Sequence, residues 1–165
     1  TFGEVLAEIG RTKASIFRLL IAAQRYSRML TISGLATKMS EWAAGLPVPP
    51  MVIILMFLVV FLLLGCIIDS VSILLLTVPI MYPVIIKLGF DPIWFGMVSI
   101  IAIEIGLLTP PFGMVVFAMK SSLGDSARIE DIFMGSWPFI LMLVLALGLV
   151  ITYPAISTWL PSVIM

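Results

Sequence analysis

The sequence predicts an all-α integral membrane protein, and three observations carry that prediction. Hydrophobic residues make up 62% of the 165 and charged residues only 11%, with a mean hydropathy of +1.26; ordinary soluble domains carry about 25% charged residues. The apolar residues gather into runs long enough to cross or nearly cross a bilayer core at about 1.5 Å of rise per residue. Two of those runs are interrupted, one by Asp69-Ser70-Val71-Ser72 and the other by Gly106-Leu107-Leu108-Thr109-Pro110-Pro111-Phe112-Gly113.

Composition also removes several functions. Net charge is zero, so no basic excess offers itself to nucleic acid. There is no histidine, hence no imidazole ligand or histidine base. The single Cys66 can form no intrachain disulfide. A G-x-x-x-x-G-K loop is missing, so this chain does not hydrolyse ATP. An intramembrane enzyme would have only Asp69 and Glu104 as acids, without a nucleophile or metal-ligand cluster beside them. The chain opens on Thr1 without a signal-peptide pattern, which reads as part of a longer protein.

Residues 1–50 form a lead, an arm and a surface helix. Residues 1–13 carry Glu4, Glu8, Arg11 and Lys13 and read as a loop or surface helix; 14–36 read as an arm helix. Arg11, Arg18 and Arg25 recur every seven residues and share a face. They snorkel to headgroups, or Arg18 and Arg25 dock another subunit. Residues 37–46 are amphipathic, and Trp42 suits a helix lying along the membrane surface before Pro47, Pro49 and Pro50 stop it.

Residues 51–92 read as a helical hairpin. The run 51–68 halts at the polar tip 69–72, and 73–86 returns with Pro79 and Pro83. Charge alone does not separate two full spans from a re-entrant hairpin; the polar tip and the prolines favour the hairpin. Residues 87–92 (KLGFDP) form a turn. Residues 93–119 read as one membrane helix broken at 109–113, 120–136 as a polar cytoplasmic loop, and 137–165 as a final span with Trp137 and Trp159 as interfacial anchors. Arg11, Lys13, Arg18, Lys120 and Arg128 fall on one side and only Lys87 on the other, which orients the first group to the cytoplasm.

The two interruptions are the candidate site. Pro110 and Pro111 lack N–H groups, so the carbonyls of Gly106 and Leu107 lose their helical donors. Thr109, before a proline, is pushed out of helical geometry. Unsatisfied carbonyls in hydrocarbon cost several kcal/mol, so the break persists only where protein, water or an ion meets it. Freed carbonyls and a threonine hydroxyl suit a hard monovalent cation; the plainer alternative is a proline kink healed by a neighbouring helix. The carbonyls of Gly65 to Ile68 end the first hairpin arm at the negative end of its dipole and point to the same site. Asp69 is an N-cap for the second arm, a site residue, or both. Ser70, Ser72 and Thr77 bind substrate or bond back to their own helix. Glu104 is a functional candidate because it is a carboxylate inside a membrane segment.

These residues also carry a family resemblance. L-L-L-G-C-I-I-D at 62–69, Pro79-x-x-x-Pro83, L-G-F-D-P at 88–92 and E-I-G-L-L-T-P-P-F-G-M at 104–114 stand in that order. Together, over about residues 14–160, they resemble the C-terminal half of the large membrane subunit of tripartite ATP-independent periplasmic (TRAP) transporters. One departure is Ser70, where that family more often has proline. The resemblance implies the second inverted repeat of an elevator-type ion transporter, with a re-entrant hairpin and a discontinuous helix. It implies a sodium site of backbone oxygens at Gly65, Gly106 and Phe112 with Thr109, sodium being the coupling ion and no other cofactor being needed. Asp69, Ser70, Ser72, Pro110 and Gly113 are then the substrate or hairpin-tip candidates. A periplasmic binding protein would deliver an organic acid, a small membrane subunit would brace the scaffold, and the complex would sit in the bacterial inner membrane. The competing reading is a stand-alone sodium-coupled dicarboxylate or citrate carrier of similar design.

Overall fold

The computed structural model describes residues 2–110 and 113–164. Among them it contains α-helices and one short 3-10 turn, with no strand. Helix α1 runs Phe2–Ser33, α2 Leu35–Ala44, α3 Pro50–Gly65, α4 Ser70–Lys87, α5 Pro92–Leu108, α6 Met114–Leu123, α7 Ile129–Thr152 and α8 Ala155–Ile164. Two described helices, α4 and α7, are long and apolar enough to cross a membrane.

The lead and the arm are one continuous helix, Phe2–Ser33, rather than a loop or surface helix followed by a separate arm. Its stretch of mixed charge at residues 4–13 does not break it; Gly34 does, with φ of +68°, a left-handed turn that glycine adopts freely. The surface helix follows at once as α2, two residues ahead of its expected start. Pro49 caps α3 and Pro50 takes its first position, where a missing N–H costs nothing.

The hairpin arms are α3 and α4. Helix α3 has 16 residues, about 24 Å at 1.5 Å each, short of the roughly 30 Å hydrocarbon core. The turn between the arms is 66–69 rather than 69–72, because Asp69 starts α4: its Oδ1 accepts the Ser72 amide at 2.9 Å. Ser70 is the first residue of α4, the position that also suits the proline more frequent in the resembled family. Pro79 and Pro83 lie inside α4 without ending it.

Helix α5 is the centre of the fold. It packs on α3, α4, α6, α7 and α8, and Trp94, Val98, Ala102 and Ile103 on it are all at most 2% exposed. A second, smaller cluster joins Ala43 of α2, Ile53 of α3 and Val84 of α4. Asp91 starts α5 by accepting the amides of Ile93 and Trp94 at 2.7 and 3.0 Å.

Two expected boundaries move. The polar stretch 120–136 is helical at both ends, and only 124–128 lie outside α-helix. Lys120 Nζ closes that turn by donating to the carbonyls of Gly124 and Ala127 (2.9 Å to the latter). Glu130 and Asp131 sit in the first turn of α7, where carboxylates complement the helix dipole. The final span therefore begins at Ile129, and it breaks after Thr152, because Pro154 cannot continue it.

Candidate functional site

The end of the first hairpin arm lies directly against the interrupted helix. A Cβ built on Gly65 would stand 2.5 Å from the Ile103 carbonyl oxygen and 3.2 Å from Gly106 Cα. A Cβ on Gly106 would run into the Leu62 carbonyl oxygen and stand 3.0 Å from Gly65 Cα. Only a pair of glycines lets these backbones cross so closely. Hydrogen bonds at the turn after α3 end on Leu62 and Leu64: Cys66 N–H reaches Leu62 at 3.2 Å, and the amides of Ile67 and Ile68 both reach Leu64 at 2.9 Å.

At the break, the hydrogen bonding differs from the expected loss of a donor at Gly106. The Thr109 N–H moves one residue forward and donates to the Gly106 carbonyl at 3.1 Å. The Thr109 hydroxyl replaces it, donating to the Ile105 carbonyl at 2.6 Å. Neither carbonyl is left bare, and both keep a second lone pair, as does the hydroxyl oxygen. Thr109 itself is extended, with φ −85° and ψ 135°, as a residue before proline should be. Pro111 and Phe112, the latter a proposed sodium ligand, lie outside the described residues. Gly113 reopens the chain as α6 with φ of +41°, packed so that a Cβ would meet the Phe133 ring at 3.0 Å.

The remaining candidates divide. Gly65, Gly106 and Thr109 come together; Pro110 is exposed beside them. Asp69 is exposed and its carboxylate caps α4. Ser72 lines a cleft of about 190 Å³ between α4 and Ala22, Ala23 and Tyr26 of α1. Thr77 bonds back to Ile73 at 2.7 Å. Glu104 is half-buried within α5. Arg18 and Arg25 both lie on the exposed part of α1, and Arg18 Nε also reaches the Ala14 carbonyl at 3.3 Å.

Two contributors carry no role in the sequence reading, although Cys66 lies within the 62–69 motif. The Cys66 thiol, buried at the hairpin end, lies 3.4 Å from the Leu62 carbonyl and 3.9 Å from the Thr109 carbonyl, joining tip to break. Trp94 donates from Nε1 to the Val150 carbonyl at 2.8 Å; the available signal was Pro154, four residues after Val150, which leaves that carbonyl in need of an outside donor.

The family model described as tripartite ATP-independent periplasmic transporter, DctM component, matches residues 1–156. The chain belongs to that family. Among its relatives, the C4-dicarboxylate TRAP transporter large permease protein DctM of Pseudomonas aeruginosa is 28% identical over 159 residues, covering 96% of this chain and 37% of that protein. The sialic acid TRAP transporter large permease protein SiaM of Vibrio cholerae is 30% identical over 161 residues, 98% of this chain and 37% of that protein. The isethionate TRAP transporter permease protein DctMQ of Oleidesulfovibrio alaskensis is 30% identical over 157 residues, 94% of this chain and 24% of that protein. The chain thus spans about a third, or less, of the length of these relatives. These three relatives are TRAP permeases, which are transporters and not enzymes.

Proposed function

We propose that the chain is part of the permease of a sodium-coupled secondary transporter. It imports an organic acid handed over by a periplasmic binding protein, in the bacterial inner membrane and beside a small membrane subunit. The observation that carries this reading is the Gly65–Gly106 crossing next to the Thr109 break. The two backbones meet there beside Thr109, and this reading draws on their neutral oxygens, a donor type suited to a monovalent cation. The Gly65 carbonyl, at the negative end of the α3 dipole, the Gly106 carbonyl, the Thr109 hydroxyl and the Phe112 carbonyl are the sodium ligands in this reading. Sodium is the only ion or cofactor it requires.

Asp69, Ser70, Ser72, Pro110 and Gly113 are the substrate or tip residues of the same reading. The hairpin and broken helix are one inverted repeat of an elevator-type carrier, and the matching repeat belongs to the rest of the permease. The solutes in the relatives' names, C4-dicarboxylates, sialic acid and isethionate, are organic anions, which supports an organic acid as cargo. The test is uptake of these three solutes into proteoliposomes carrying the full-length permease and its membrane partner, with the binding protein outside. Uptake should require both an inward sodium gradient and the binding protein. Uptake indifferent to sodium removes the coupling ion. Sodium-driven uptake without the binding protein selects the stand-alone carrier instead.

A further inference from the structure

We propose that the Trp94 indole holds open an elbow between α7 and α8 and seats α8 on the interrupted helix, so that α5 and α8 move as one piece during transport. Pro154 has no N–H, so the Val150 carbonyl has no donor from its own helix. Trp94 Nε1–H supplies one at 2.8 Å, from 56 residues earlier in the chain. Trp94 is 2% exposed and Val150 7%, so bulk water does not compete for the bond.

The donor is itself fixed. Phe90 stacks on the indole at 5.3 Å with 19° between the ring planes, and Asp91 Oδ1 accepts the Trp94 amide at 3.0 Å. The elbow is otherwise closed by short-range bonds. The Tyr153 amide reaches the Leu149 carbonyl at 2.8 Å, and the hydroxyls of Ser157 and Thr158 return to the Pro154 carbonyl at 2.9 and 3.1 Å. Helix α8 then packs on α5 with Ser157 buried. Trp94 is therefore a positioning residue: it acts through the Val150 carbonyl on the direction of α8. Thr109 lies at the far end of the same α5 rod, about 22 Å along its axis at 1.5 Å per residue.

A tryptophan that merely fills space gains nothing from a change at Pro154, whereas a tryptophan that replaces a missing N–H does. The test is a four-way cycle in the full-length permease with its partners: wild type, Trp94→Phe, Pro154→Ala and the double variant, read by thermal melting and by uptake of the three solutes named above. Trp94→Phe keeps a ring against Phe90 and removes the N–H, so the melting midpoint falls by several degrees and uptake falls several-fold. Pro154→Ala lets the helix supply its own N–H, so in the Trp94→Phe background it restores the midpoint. Uptake by the double variant stays low, because the healed helix carries α8 away from α5. The proposal is overturned if Trp94→Phe melts with wild type, or if the double variant melts no higher than Trp94→Phe. Recovery of both midpoint and uptake in the double variant refutes the joint movement and leaves a bond that only stabilises. The uptake arm rests on the permease reading; the melting arm depends on neither sodium nor solute, so a failure of sodium coupling is distinguishable from a failure here.

Discussion

Replacing Gly65 with alanine tests whether α3 and α5 must meet backbone to backbone. The added Cβ would stand 2.5 Å from the Ile103 carbonyl oxygen, and ordinary contact begins near 3.4 Å, so the helices must part by about 0.9 Å. The obstructing atoms are backbone atoms of α5, which no rotamer change can move. A gap of that size forfeits about a quarter to a half of the dispersion attraction at each atom pair along the crossing, and overpacking of this kind costs about 1–3 kcal/mol. Alanine returns at most about 0.5–1 kcal/mol of backbone entropy, the value for a helix interior, and Gly65 ends α3, so the net loss is up to about 2.5 kcal/mol. Gly96, inside α5, has nothing within 4 Å of an added Cβ. There the same substitution should stabilise, by about 0.5–1 kcal/mol. The assay is thermal melting of the full-length permease, with a sodium titration of uptake alongside. Gly65→Ala should lower the midpoint and raise the half-saturating sodium; Gly96→Ala should raise the midpoint and leave sodium unchanged. A Gly65→Ala permease that melts at or above wild type refutes the close crossing.

The charge distribution predicts that a cysteine placed at Ser126 resists membrane-impermeant thiol reagents added outside intact cells, whereas one at Ser162 reacts; the opposite labelling reverses the orientation. Arg18 and Arg25 separate snorkelling from docking. If they dock a subunit through paired hydrogen bonds, Arg18→Lys and Arg25→Lys should reduce recovery of the assembled complex, since lysine cannot reproduce the guanidinium fork. Normal recovery and uptake for both variants removes docking.

Much of the element order was legible because its causes are local. Apolar runs, the prolines at 47–50 that stop the surface helix, the 87–92 turn and Asp69 as a cap all act within one turn of themselves. The Thr-Pro-Pro break was legible for the same reason. Boundaries failed where a distant or side-chain contact decides them. Residues 120–136 looked like a loop by charge, yet Lys120 shortens the turn by reaching the carbonyls of Gly124 and Ala127, and the acidic residues favour a helix start. The lead 4–13 looked like a separate segment by charge, but nothing in it breaks a helix. At the site, the sequence directed the carbonyls of Gly65 to Ile68 toward the break, while the direct crossing of Gly65 with Gly106 depends on packing along α5. The rearranged bonds of Thr109 were not legible, because a threonine hydroxyl and its own amide can exchange carbonyl partners without any change in sequence pattern.

The sodium dependence of uptake by Thr109 variants tests the central claim most directly. Valine keeps the shape of threonine but removes the proposed ligand oxygen, and with it the donor to Ile105. Serine keeps both functions. Pro110→Ala returns an N–H that can recapture the Gly106 carbonyl and heal the helix. Losing one neutral ligand should cost about 1–3 kcal/mol, by analogy with an unmade buried hydrogen bond, or roughly ten- to a hundredfold in affinity. Measured in proteoliposomes with all partners present, half-saturating sodium should rise by about that factor for Thr109→Val, change little for Thr109→Ser, and rise for Pro110→Ala. Wild-type half-saturating sodium in both Thr109→Val and Pro110→Ala, at normal expression, would mean that the break is a structural kink and the ion binds elsewhere.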